Sequence, residues 1–226
     1  MNPRSILAID ATTDVCSVAW TDGRRAVERS RVAGQRHSEL VLPMIESVLA
    51  EAGRRLHDIS EIAFGAGPGS FTGLRIACGV AQGLALGAGL PVRPVSSLLA
   101  LAQATGEPAV IAINDARMNE VYWGAFRRDR DGRWAVVEEP QSCAPDVLAA
   151  PFGDDWTVAG DGIAAYPQIA ARLRALRIDR TTTISALAIA QLALLGHGTP
   201  GDAADAVPHY VRDKVALTTT ERAGAD

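Results

Sequence analysis

Hydrophobic and polar positions divide the chain into short runs, each with its own period. Ser5 to Ala11 is an apolar run that contains Asp10 near its end, as a buried strand would. Val15 to Thr21 alternates, and Asp22-Gly23 behind it is a strong hairpin signal, so Arg24 to Val32 pairs back as a third strand. The chain therefore opens as an antiparallel meander whose first turn, Asp10-Ala11-Thr12-Thr13, carries an acid and two hydroxyls. At Ser38 the period changes. Leu40, Val41, Met44, Ile45, Val48 and Leu49 fall on one face at helical spacing, and Gly53 ends a helix over 38–52. Pro43 belongs near its first turn, where a missing N–H costs little.

Ile59 to Phe64 is strand-like and runs into Gly65-Ala66-Gly67-Pro68-Gly69-Ser70-Phe71-Thr72-Gly73, which holds four glycines in nine residues. A helix follows from about Thr72 to Ala88, with Ser70 and Thr72 as candidate N-caps. Such a strand, tight loop and helix N-terminus can hold an anion. Here it more readily describes a tight turn packing a helix on a sheet. It lacks the lysine of a P-loop, and Ser70 breaks G-x-G-x-x-G. Within the helix, Gly79, Gly83 and Gly87 recur every four residues, as do Gly73, Ala77, Ala81, Ala85 and Gly89. A glycine inside a helix costs about 1 kcal/mol against alanine. The small face must return that cost through close approach, either to the chain's own core or to another subunit.

Leu90 to Val95 reads as a strand and Ser96 to Ala104 as a helix. Thr105-Gly106-Glu107-Pro108 then separates two halves, residues 1–105 and 106–226. The second half repeats the opening: an apolar strand, Ala109 to Ile113, a polar turn, Asn114-Asp115-Ala116-Arg117, and a hairpin of 120–127 with 134–138 around Asp131-Gly132. A short helix over 144–150, a strand over 156–159, and helices over 163–176 and 184–195 complete it. Residues 206–226 are expected to return to the first lobe, with a polar tail from Thr218 that carries too little apolar surface to order itself. The pattern is α/β with two related lobes.

A chain of 226 residues with 48% hydrophobic positions can build that core. Its formal charge of −4 supplies no basic field for tight nucleic-acid binding. Cys16, Cys78 and Cys143 are far apart, which points to a reduced, cytoplasmic chain without disulfides or a zinc site. The opening residues do not read as a signal peptide. Gln82, Pro91, Arg93 and Pro94 interrupt the longest apolar stretch, so no membrane association is expected.

In actin-like phosphotransfer enzymes an acid and hydroxyls at the first turn meet metal and phosphate. Asp10, Thr12 and Thr13 occupy that turn, with Gly160 and Gly162 where adenosine would abut; here the first turn has no glycine, and Asp10 can equally cap it through an Asx bond. ATP or ADP with Mg is the cofactor such a degenerate site, or a larger complex, would use. Arg117 can bind an anion or pair with Asp115 or Glu120, and the pair is the preferred reading. His37, His57, His197 and His209 show no metal spacing, and no catalytic constellation is complete.

Ile9-Asp10-Ala11-Thr12-Thr13, His37-Ser38-Glu39, Gly67-Pro68-Gly69-Ser70-Phe71-Thr72-Gly73-Leu74-Arg75, Asp115-Ala116-Arg117, Ala159-Gly160-Asp161-Gly162 and Pro208-x-Tyr210-Val211-Arg212 occur in this order. Together they resemble the TsaB (YeaZ-like) family. The resemblance implies an actin-like (ASKHA, ribonuclease H-like) fold and a part in making threonylcarbamoyladenosine on ANN-decoding tRNAs. It implies a non-catalytic subunit that dimerises with a TsaD-like catalytic subunit, works with a TsaE-like ATPase, can form a homodimer, and meets tRNA only through the complex. It places the partner interface on the first-lobe helices, here Leu40, Met44, Val48, Leu74, Ala77, Gly79, Gly83 and Gly87. An actin-like nucleotide-binding phosphotransferase is the competing reading, and a metallopeptidase a weaker one.

Overall fold

The computed structural model describes residues 4–151, 153, 155–173 and 177–212. Two five-stranded sheets share one topology. The first is built from β1 (Ile6–Asp10), β2 (Val15–Thr21), β3 (Ala26–Val32), β4 (Glu61–Gly67) and β5 (Val92–Ser96), in the order β3-β2-β1-β4-β5. The second is built from β6 (Ala109–Arg117), β7 (Glu120–Arg128), β8 (Trp134–Cys143), β9 (Thr157–Ala159) and β10 (Arg177–Asp179), in the order β8-β7-β6-β9-β10. In each sheet the first three strands form an antiparallel meander and the last two add in parallel. The halves expected from the repeated strand, turn and hairpin are therefore two copies of one arrangement.

Helices α1 (His37–Ala52) and α2 (Phe71–Ala88) cover one face of the first sheet. Leu7, Ile9 and Phe64 point into that layer with Val41, Met44, Ile45, Val48 and Ala77. Ile6, Ala8 and Ala63 point the other way, toward α3 (Ser97–Thr105) and α6 (Ala186–Leu194). Both faces being covered, β1 is buried along its whole length and reads as a continuous apolar run. The same central layer takes Val110, Ala112 and Phe126 from the second sheet, so it joins the lobes. The far face of the second sheet packs Ile111, Ile113 and Val158 on Trp156 and Ile163.

Glu28 on β3 ties α6 to the first lobe. Its Oε1 accepts from Ser185 Oγ (2.7 Å), Leu187 N (3.0 Å) and Ser17 Oγ (3.0 Å). A carboxylate at a helix N-terminus satisfies donors that the helix itself cannot.

Several boundaries differ from expectation. In place of the single helix expected over 163–176 there are two short ones, α4 (Gly162–Ala165) and α5 (Gln168–Arg172), divided at Pro167, whose ring disfavours helical backbone at Tyr166; positions 174–176 lie outside the described residues. Pro145–Val147 is one 3₁₀ turn rather than a helix over 144–150. β6 and β8 extend through polar residues to Arg117 and Cys143. Pro43 lies well inside α1 rather than in its first turn, on the exposed side where the Glu39 carbonyl lacks its usual donor. Residues 206–210 lie against the first lobe: Ala206 O accepts from Gln82 Nε2 (2.9 Å) and Cys78 Sγ (3.3 Å), His209 N donates to Ala66 O (2.7 Å), and the Tyr210 ring sits beside Phe71. The expected polar tail from Thr218 lies outside the described residues.

Candidate functional site

The polar turns at the ends of β1 and β6 face each other across a cleft of about 310 Å³. Its walls are Thr12, Thr13 and Asp14 with Ser70–Thr72 on one side, and Asn114–Met118, Tyr122 and Asp161 on the other. His209 to Arg212 close it. Of the five residues named for a nucleotide, Thr12 and Thr13 line this cleft; Asp10, Gly160 and Gly162 do not.

Asp10 is fully buried and turned into its own loop. Thr12 Oγ1 donates to its Oδ1 at 2.9 Å, and Thr12 N approaches Oδ2 at 3.4 Å. Burial pushes its pKa up to about 7 against the pull of those bonds. The glycine-rich loop seals it there. A Cβ on Gly65 would sit 2.1 Å from Asp10 Oδ1, one on Gly69 2.5 Å from Thr12 O, and one on Gly73 1.7 Å from Ala11 O. Ser70 N donates to Thr12 O at 2.8 Å, and Ser70 rather than Thr72 caps α2, accepting from Gly73 N at 3.3 Å. The loop's glycines thus serve close approach of α2 to the β1 turn. His37, the first residue of α1, donates from Nε2 to Thr13 O at 2.9 Å and fastens the same turn.

The second lobe repeats the device. Gly160 has φ +118°, and a Cβ there would meet Ile113 O at 2.1 Å; one on Gly162 would meet Ile113 Cγ2 at 2.8 Å. Both glycines face β6, so they join two strand ends rather than abut a base. Arg117, Met118 and Asn119 follow with φ of 59°, 53° and 57°, a run of left-handed non-glycine residues. Arg117 pairs with Asp115 at 3.0 Å and approaches Asp14 across the cleft at 3.9 Å. Glu120 pairs instead with Arg212. Asp161 Oδ1 accepts from Asp115 N at 2.8 Å. Desolvation, opposed by that bond and reinforced by the Asp115 and Asp14 charges, holds the Asp161 carboxyl above its ordinary range. Asp10, the acid of the first turn, is sealed in its own loop, and Gly65, Gly69, Gly73, Gly160 and Gly162 face protein, so none of these is open to a nucleotide; the cleft itself is lined by the hydroxyls of Thr12, Thr13, Ser70 and Thr72 and the carboxylates of Asp14, Asp115 and Asp161.

The second candidate surface is α2. It is apolar and 18 residues long, yet only 33% of it is buried. Leu74, Ala77, Cys78, Ala81 and Ala85 face the core. Gly79, Gly83 and Gly87 are exposed, and a Cβ on any of them would meet nothing within 4 Å. Leu86 beside them is 76% exposed. Internal packing therefore does not explain these three glycines. Four of the residues named for a partner interface are corrected at the same time. Met44, Val48, Leu74 and Ala77 are core residues and Leu40 is half-buried against them, because the apolar face of α1 and the alanine face of α2 meet the sheet.

Comparison with known proteins decides the family. The family model described as "TsaD: tRNA N6-adenosine threonylcarbamoyltransferase" matches residues 30–216. The tRNA threonylcarbamoyladenosine biosynthesis protein TsaB of Escherichia coli is 41% identical over 73% of this chain and 74% of its own length. That of Haemophilus influenzae is 36% identical over 95% and 96%. The chain belongs to the TsaB (YeaZ-like) family. YeaZ from Pseudomonas aeruginosa superposes with a TM-score of 0.83 at 37% identity, covering 92% of this chain and 99% of that one. A second Pseudomonas aeruginosa structure, described as similar to peptidase YEAZ, gives 0.85 at 37%. The actin-like, two-lobed α/β fold follows from that membership.

In this TsaB-family chain, sequence reasoning named Gly79, Gly83 and Gly87 on the outward side of α2 and missed the outward side of α1. Leu42 on α1 is 48% exposed, opposite the apolar stripe that singled out Leu40, Met44 and Val48. The signal was present, since a helix's dominant apolar face is the one its own core claims. The motifs that hold Asp161, Tyr210 and Arg212 were singled out, but nothing local showed that they meet in one cleft, because they join elements far apart in the chain.

Proposed function

We propose that this chain acts in tRNA threonylcarbamoyladenosine biosynthesis as a non-catalytic partner subunit, and that it docks on a TsaD-like catalytic subunit through the exposed side of α2. The observation that carries this reading is the row Gly79, Gly83, Gly87, open to solvent on a helix that gains nothing internally from it. Three interior glycines weaken a helix by about 1 kcal/mol each, and a backbone surface without side chains lets a second helix approach closely. Leu86 and Leu42 supply apolar anchors on the exposed sides of α2 and α1. The same surface would serve a homodimer when the catalytic partner is absent. A TsaE-like ATPase joins the assembly, and tRNA is met through the complex, in keeping with an acidic chain of formal charge −4 in the cytoplasm.

On this reading the chain holds no nucleotide of its own, and MgATP chemistry belongs to its partners. Among the described residues no three His, Cys, Asp or Glu side chains are grouped to hold a metal, so the metallopeptidase reading gains no support. Light scattering on a mixture with the TsaD-like subunit, with and without MgATP, tests the proposal. A defined heterodimer, with no ATP turnover by the isolated chain, is expected. No association, together with turnover by this chain alone, would favour the phosphotransferase reading.

A further inference from the structure

The segment Pro208-His209-Tyr210-Val211-Arg212 has no part in the partner reading, yet it touches both lobes. Ala206 and His209 are held by the first lobe, through Gln82 and through His209 N donating to Ala66 O at 2.7 Å. Tyr210 packs its ring 5.6 Å from Phe71. Arg212 then crosses to the second lobe, where it pairs with Glu120, lies 5.6 Å over Tyr122 and approaches Met118 Sδ at 3.8 Å. We propose that residues 206–212 form a releasable strap that gates the cleft between the lobes, with the Arg212–Glu120 pair as its latch.

Three observations converge on a strap rather than a fixed part of the fold. The segment divides open space: the cleft of about 310 Å³ lies on one side and a second cavity of about 290 Å³, lined by Leu99, Phe126 and Val136, on the other. Pro68, His209 and Val211 line both, so lifting the strap joins them into one groove. Its described residues form no helix and no strand ladder, so single contacts hold it: the Ala206 carbonyl under Gln82 and Cys78, the His209 N–H on Ala66, the Tyr210 ring beside Phe71 and the Arg212 pair with Glu120. The closed state also leaves polar groups unmade. Among the described residues, Asn114, 4% exposed in the cleft wall, has no partner for Nδ2, and the buried Nε of Arg212 has none either. Buried donors without acceptors disfavour the state that buries them, which sets a penalty against the contacts that hold the segment closed. The strap is thus poised to open at lower cost than the core.

Hydrogen exchange read by mass spectrometry tests this on the full chain. Arg212→Ala and Glu120→Gln should each speed exchange about tenfold in peptides covering 207–212 and 114–119, while β1 and β4 peptides keep the wild-type rate. Arg177→Ala, which removes an exposed pair with Glu107, should leave all of these unchanged. A Phe71→Cys/Tyr210→Cys staple should slow exchange in both segments when oxidised and release it when reduced. Unchanged exchange in both latch variants would overturn the proposal, as would uniform acceleration through the core. So would a staple that slows 207–212 and leaves 114–119 untouched, because the strap would then gate nothing.

Discussion

At the scale of single residues, the same substitution should have opposite signs at two positions of one helix. Gly73→Ala drives a methyl into the Ala11 carbonyl, which a Cβ would approach at 1.7 Å. It should cost about 1–3 kcal/mol, or more if α2 must leave the turn. Gly83→Ala meets open space and should gain about 1 kcal/mol from helix propensity alone. Urea unfolding of the two variants against wild type measures both. Asp10 gives a pH signature. Its pKa is about 7 folded against the ordinary aspartate value of 3.8, so between about pH 4 and pH 7 the native chain keeps a proton that the unfolded chain has lost. Stability from this group is therefore greatest in acid and falls as pH rises through that window, by at most about 1.4 kcal/mol per pH unit. Asp10→Asn should flatten that fall, and thermal melts between pH 4 and pH 8 will show whether it does. An unchanged slope would mean that the carboxylate is solvated in the native state.

At the scale of elements, Glu28→Ala should lower stability by about 1–3 kcal/mol, because it strips three hydrogen bonds from the start of α6 and from Ser17. A melt with no change would separate α6 from that anchor. Elements are also where the sequence was most legible. Val15–Thr21 fell within its expected bounds, since alternation and Asp22-Gly23 fix a hairpin locally. The split between α4 and α5 was written in Pro167. β10 was not legible: three residues carry no period, and only pairing with β9 makes them a strand. The site was read less well than the fold, for a physical reason. Glycine at 65, 69, 73, 160 and 162 announces close approach, but sequence does not say whether a ligand or the chain's own backbone approaches. The α1 stripe of Leu40, Met44 and Val48 showed burial without showing against what, and the sheet claimed it.

At the scale of the whole molecule, one topology occurs twice, and the two lobes meet through a shared apolar layer under α3 and α6. The Asp10 turn is covered by the glycine-rich loop at the start of α2, and residues 209–212 line the cleft between the lobes. The molecule's unspent surface lies instead on the outside of α2. The most direct test of this account is the affinity of Gly83→Leu for the TsaD-like subunit, measured by sedimentation beside its thermal melt. The account predicts a melting temperature at or above wild type, since the side chain enters open space on a helix, together with at least about a tenfold loss of affinity. Wild-type affinity in a folded Gly83→Leu chain would contradict it, and the glycine row would then not be the docking face.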